Sequence, residues 1–298
     1  MTLRSTSARL AQLLVLIPLV LAPLLAGASS TPAAWRVEGP AGTAYLLGSL
    51  HYGTEELYPL PSAVEDAFRN SDALVVEVNI LDLDPVRAAR TMAQHGFYQD
   101  GSTVEQNISP STWREVRQLI RDYGLPLEIY QIQKPWLLAV GLSTLELGKL
   151  GYREDLGIDQ HFLRRAQGAK PIVELETLDS QIGIFDQLSA GEQEQLLVQT
   201  LDELGDSGEY FGGLFDAWKR GDADAIEEII SATQGQTAAG DRLYYRLFTK
   251  RNKEMASKIG GMLDDNKTYF VVLGAGHLVG DGGIVELLRG KGFELTQL

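Results

Sequence analysis

Val271-Val272-Leu273-Gly274-Ala275-Gly276-His277, near the C-terminus, repeats the design of Tyr45-Leu46-Leu47-Gly48-Ser49-Leu50-His51 near the N-terminus. Each reads as an apolar strand that ends at a glycine, with an imidazole presented three residues further on. Glycine permits the close backbone approach or the positive φ that a sharp turn needs. Runs of Val and Leu without polar alternation suit strands covered on both faces, as in an α/β sheet. In such sheets ligand sites form beyond the carboxyl ends of the strands.

The segments between these two runs fill in the fold. Residues 35–38 and 43–47 flank Gly39-Pro40-Ala41-Gly42 and read as a hairpin. Residues 73–78, 171–176, 269–273 and 293–296 read as further strands. Helices are expected over 62–70, 85–94 and 158–166, and from the Ser109-Pro110 start to Gly124. Ser189 with Glu192 has capping-box spacing and opens a helix to about Leu204, and 242–263 reads as one long helix. The Gly-rich acidic stretch 201–213 and the small polar stretch 231–240 read as loops. The order predicts an α/β fold with a central mixed sheet, helices around it, and a helical middle segment covering the strand-end site. No repeat is visible at solenoid periods.

Arg4 and Arg9, the apolar run 10–25 and Ala26-Gly27-Ala28 make residues 1–28 read as a cleavable signal peptide. Residues 29–298 then form a single domain, periplasmic or secreted, without stable membrane insertion after cleavage. The chain has no cysteine, which excludes disulfides, a thiol nucleophile and thiolate metal ligands. A formal charge of −14 repels phosphate backbones, so no nucleic-acid partner is expected.

Chemistry is sought among the four histidines, His51, His95, His161 and His277, and among carboxylates at costly strand positions, Glu77, Glu174 and Glu176. A buried carboxylate must be paired, protonated or metal-bound. Two imidazoles with carboxylates form a reasonable ligand set for Zn, Mn, Co or Fe(II), which would activate a water while a free Glu acts as base. His95 reads as a surface cap residue and His161 as a structural, salt-bridged one, while Asp159 is placed to support a site residue. Trp113 and Trp136 read as core, whereas Tyr52, Tyr58, Tyr130, Tyr244 and Tyr245 could line a groove. A phosphate loop at Gly274-Ala275-Gly276 fails on spacing, because Val279 stands where the third glycine belongs.

The Gly48-Ser49-Leu50-His51 start with Leu60-Pro61, the Val75-Val76-Glu77 strand, Leu175-Glu176-Thr177, Arg251-Asn252 with Met255-Ala256, and the closing run from Val272 to Gly280 together resemble the TraB/GumN family. The resemblance runs in order through nearly all of residues 29–298. Ser49 stands where the family usually has Thr and keeps the hydroxyl. The family includes the TIKI proteins, regarded as metal-dependent proteases with two Gly-x-x-His motifs, and is similar in architecture to haem-binding ChaN-like and erythromycin-esterase-like proteins. The resemblance implies His51, Glu77 and His277 as metal ligands, with Glu77, Glu176 and Arg251 in catalytic roles. The expectation is therefore an exported divalent-metal-dependent hydrolase, peptidase-like, acting on a peptide or small molecule. The alternative is a non-catalytic binding protein of the same fold, holding haem, a peptide signal or a partner protein.

Overall fold

The structure is a computed structural model and describes residues 32–232 and 234–298. Residues 1–28, which read as a signal peptide, lie outside the described residues.

Six strands form one mixed sheet: β1 (Ala34–Glu38), β2 (Thr43–Ser49), β3 (Ala73–Val76), β4 (Ile172–Glu174), β5 (Thr268–Gly274) and β6 (Glu294–Gln297), in the order β4-β3-β5-β2-β1-β6. The hairpin places β1 antiparallel to β2, and β6 closes antiparallel on the other side of β1. β2, β5, β3 and β4 are mutually parallel, so their carboxyl ends meet along one edge. Register pairs Ser49 with Gly274 and Gly48 with Leu273, so the two motif glycines are offset by one residue. The continuous apolar runs behave as expected: every residue of β3 is buried, as are the five central residues of β5.

Helices α1 (Ser62–Asn70), α7 (Ile158–Ala166), α13 (Lys250–Met262) and α14 (Ile284–Gly290) pack on the sheet. Phe68 of α1, Phe162 of α7 and Phe270 of β5 meet ring to ring, with centroids 4.7–5.5 Å apart. Between β3 and β5 the chain is mostly helical. α2 (Pro85–Gly96), α3 (Val104–Asn107), α4 (Pro110–Asp122), α5 (Leu127–Tyr130) and α6 (Pro135–Lys149) precede α7. After β4 come α8 (Leu178–Asp186), α9 (Ala190–Gly205), α10 (Ser207–Arg220), α11 (Ala223–Ile230) and α12 (Ala238–Tyr244). This cover has its own core, in which Trp113, Val116 and Ile120 of α4 pack with Leu138 and Leu142 of α6 and Leu197 of α9. Trp136 is buried as well.

Two expectations change here. Residues 201–213 are helical rather than a loop, since α9 runs to Gly205 and α10 starts at Ser207. Each of the glycines 208, 212 and 213 weakens α10 by about 1 kcal/mol relative to alanine. Burying Phe215 and Trp218 on the same helix outweighs that, at about 1.5–3 kcal/mol for a side chain such as Phe. The long helix expected over 242–263 is interrupted: α12 passes into a π-helical turn, Tyr245–Thr249, before α13. Such insertions re-aim side chains and are frequent at functional sites.

Candidate functional site at the strand ends

The parallel edge brings together five residues far apart in sequence. His51 lies two residues beyond β2, Glu77 directly after β3, Glu176 two residues after β4, and His277 three residues after the end of β5. Arg251 comes from the first turn of α13. Glu77 and Glu176 therefore sit just past their strands rather than inside them. The backbones still run side by side there, with the Glu176 N–H donating to the Glu77 carbonyl at 2.8 Å. Glu174 remains on β4, exposed, and accepts from the Asn79 N–H at 2.7 Å.

Arg251 organises the carboxylates. Its Nη2 donates to Glu77 Oε2 at 2.7 Å and to Glu176 Oε2 at 2.6 Å, and its Nε donates to Glu176 Oε1 at 2.8 Å. Gln181 of α8 donates to both carboxylates at 2.9 Å, and the Gly274 N–H donates to Glu77 Oε1 at 2.8 Å. Burial pushes Glu77 up, but the fields of His277, His51 and Arg251 with the Gly274 N–H hold it down at about 2. Burial also works against the Arg251 charge, and the hydrogen bonds and charges of Glu176 and Glu77 raise it regardless.

The two histidines are held differently. His51 Nδ1 faces Asp159 Oδ2 at 2.8 Å, and that carboxylate raises the ring to about 9 against the opposing effect of burial. The ring hangs inside an open cavity, so it is surrounded by protein while 64% of the side chain still meets solvent. Ser49 Oγ donates to Asp159 Oδ1 at 2.8 Å and fixes the carboxylate in place. Gly157, just before α7, lets this loop approach, since a Cβ there would lie 2.2 Å from the His51 carbonyl oxygen. His277 is buried, and its Nδ1 lies 2.6 Å from Asn252 Oδ1. The Asn252 amide nitrogen is spent on the Gly282 carbonyl, so the His277 Nδ1 must be the donor and Nε2 carries the lone pair. Burial lowers His277 to about 4, which keeps it neutral.

Above this floor opens a cavity of about 630 Å³. Its walls come from the helical middle: Leu147 of α6, Phe185 of α8, Phe211 of α10, Ile230 of α11, and Leu247 and Phe248 of the π-helical turn. Phe248 lies against His277 with ring centroids 5.3 Å apart, and the Leu247 carbonyl accepts from Arg251 Nη1 at 3.0 Å. Tyr52 lines the cavity, whereas Tyr58, Tyr130, Tyr244 and Tyr245 do not.

The metal-dependent hydrolase expected from the paired motifs is corrected by this geometry. Among the described residues, no group of three or more His, Cys, Asp or Glu side chains is placed to hold a metal ion. Glu77 and His51 are held by protein partners, while His277 Nε2 keeps its lone pair. A guanidinium occupies the carboxylate pair, His51 is turned to Asp159, and His277 Nε2 is 3.9 Å from Glu77 Oε1. A Zn, Mn, Co or Fe(II) cofactor, the ligand roles of His51, Glu77 and His277, and the metal-dependent peptidase chemistry built on them do not fit the site. His95 and His161 lie elsewhere. His95 bonds to Asp186 at 2.8 Å at the end of α2, and His161 sits 3.0 Å from Arg165 Nη1.

Asn252 and Gln181 also belong to the site, Asn252 as the sequence neighbour of Arg251. Gln181 carries no sequence signal, because it reaches the floor only through the packing of α8. The apolar wall was missed for the same reason, since Phe211 lies in a stretch that reads as a loop. No helix among the described residues is long and apolar enough to cross a membrane.

Comparison with known proteins agrees with the extent of the fold. The Escherichia coli (strain K12) protein YbaP is 27% identical over 82% of this chain and 87% of its own length. A Treponema pallidum (strain Nichols) protein is 23% identical over 86% of this chain and 79% of its own length. The Xenopus tropicalis protein named Metalloprotease TIKI2 is 36% identical, but over only 25% of this chain and 16% of its own length. So short a match does not carry that name's activity to this chain. No solved structure matches. The family profile described as TraB/PrgY/gumN matches residues 33–297, and the chain belongs to that family.

Proposed function

We propose that this chain is a non-catalytic binding protein that holds a small amphipathic molecule at the strand ends, its apolar body under the helical cover and its polar end on the charged floor. The reading rests on one observation: Arg251 is bonded to both Glu77 and Glu176 beneath an apolar-walled cavity of about 630 Å³. Ligand sites of about 300–1,000 Å³ with apolar walls and a few converging polar groups are the usual form of a small-molecule pocket. With both carboxylates committed to the guanidinium, the floor is a fixed polar surface rather than a free base or nucleophile. Among the expected occupants, a small molecule suits a helix-walled cavity of this size better than a folded partner does. We propose further that the protein works outside the cytoplasm, as the pattern in residues 1–28 suggests. Recovery of a chain shortened by that segment from a periplasmic extract would support this.

The test is a titration with Nile red, a neutral apolar fluorophore, on the wild type and on Phe211→Asp. Saturation near one site per chain, lost in the variant while its circular dichroism is unchanged, is the expected result. Equal binding by both proteins, or none by the wild type, overturns the reading.

A further inference from the structure

The two halves of α10 are held very differently. In the second half Phe215, Ala217 and Trp218 are buried. Trp218 Nε1 donates to the Gly48 carbonyl at 2.6 Å, and the Phe215 ring meets Tyr152 with centroids 5.2 Å apart. No residue of α10 before Phe215 is buried. The first half is tied down by polar contacts instead: Ser207 Oγ donates to Glu146 Oε1 at 2.8 Å, and Tyr210 is hydrogen-bonded to Glu203 of α9. Water can replace both contacts, and Glu146 would still keep Tyr123 and Lys149 as partners.

The three glycines of α10 fall in this weakly held half, and packing requires none of them. Nothing lies within 4 Å of the place a Cβ would take at Gly208 or Gly212, and at Gly213 the nearest atom is Ile229 Cδ1 at 3.8 Å, an ordinary contact. None of the three has a positive φ, and none lines the cavity. What they do is lower the cost of leaving the helix. Their position gives that a use. Gly212 and Gly213 stand between Phe211, whose side chain lines the cavity, and the anchored half. At the other end Asp206 leaves helical geometry, with φ −125° and ψ 40°, and separates α9 from α10. A weakly held stretch with a break at one end, a glycine pair at the other and a cavity-wall ring on it has the construction of a hinged flap.

We propose that residues 207–213 are a flap that swings on Asp206 and on Gly212-Gly213, carrying Phe211 away from the cavity, and that its opening sets the rate at which the ligand enters and leaves. This rests on the binding reading above and adds the gating of the same site.

The experiment is stopped-flow mixing of Nile red with the wild type and with the triple variant Gly208→Ala/Gly212→Ala/Gly213→Ala. Gly261→Ala is the control, since Gly261 lies in α13 with equally open surroundings and does not line the cavity. The triple variant is expected to melt higher and to slow association and dissociation alike, by at least about tenfold, with Kd changed by less than about twofold, because a stiffer helix opens less often whether loaded or empty. Gly261→Ala should melt higher and exchange Nile red as the wild type does. Unchanged rates in a triple variant that melts higher, or a Kd that moves while association does not, overturn the flap and leave the binding reading standing. If the wild type binds no Nile red, both fall. Hydrogen exchange on the wild type gives a reading free of substitutions and decides alone should the triple variant fail to fold. The amides of 211–213 are expected to exchange faster than those of 217–220 and to slow when Nile red is bound, and equal exchange in the two halves overturns the flap.

Discussion

Residues 48–51 and 274–277 are built to the same pattern, Gly-x-x-His after a parallel strand, on neighbouring strands of one sheet. Their histidines end in opposite states. His51 projects into the open cavity with a carboxylate behind its Nδ1 and is held protonated to about 9. His277 is buried with an amide oxygen behind its Nδ1 and stays neutral to about 4. Strand and glycine deliver the ring to the edge, and the residue behind it, Asp159 or Asn252, decides its charge. Both partners arrive from helices distant in sequence, α7 and α13, so an identical local motif carries no information about the outcome.

The largest effect is expected where the two halves are joined. Arg251→Leu leaves Glu77 and Glu176 buried without their counter-charge and should cost about 3–5 kcal/mol, read from urea unfolding. A loss below about 1 kcal/mol would mean that the carboxylates find other partners, and that the floor is not a fixed unit.

Next comes exchange of the partners. Asn252→Asp gives His277 the arrangement of His51 and should raise its titration midpoint by about 1–3 pH units, followed by NMR of the ring protons. Asp159→Asn should lower His51 by a similar amount. If His277 stays neutral beside an aspartate, burial alone sets its state and the partner argument fails.

The same contrast should appear in stability against pH. His51 binds its proton more tightly folded than unfolded, so its contribution is complete below 6.5 and is lost as pH rises through about 9. His277 does the reverse, and its effect is to weaken the fold as pH drops from 6.5 through about 4. Glu77 contributes in full above 4.5 and loses that contribution as pH falls through about 2. Melting temperature should therefore decline on both sides of neutrality. His51→Ala should flatten the alkaline side and, because the His51 charge helps hold Glu77 down, also change the acid fall below 4.5, whereas His277→Phe should change only the acid side. A His51→Ala profile that still falls above pH 7 as the wild type does would show that another group controls that side.

The smallest effect belongs to the hydroxyl at position 49. Ser49→Ala removes a hydrogen bond to Asp159 and should cost about 1 kcal/mol, while Ser49→Thr should be close to neutral. Equal losses in both would place the constraint in packing rather than in the hydroxyl.

Much of the frame was legible before any coordinates. The hairpin, the buried strands and the Ser109 and Ser189 helix starts all follow from local chemistry: turn glycines, apolar runs and caps. The candidate site was half legible. His51, Glu77, Glu176, Arg251 and His277 were singled out and do converge, but the function inferred from them was wrong, because residue types at strand ends suggest a ligand set without saying what each already binds. The helix at 207–220 was misread because its glycines argue against helix locally while Phe215 and Trp218 argue for it only when buried.

By itself, then, the sequence determined the alternation of strand and helix, the edge at which the glycines end their strands, and the polar residues at the strand ends, His51, Glu77, Glu176 and His277, since these depend on neighbours a few positions apart. Only the tertiary structure decided that Arg251 would sit between Glu77 and Glu176, that one histidine would face an aspartate and the other an asparagine, and that helices 6, 8, 10 and 11 would wall the cavity. Charge state and pocket shape are set by groups brought within about 3–4 Å across long loops, and burial multiplies the electrostatic consequences of each such meeting.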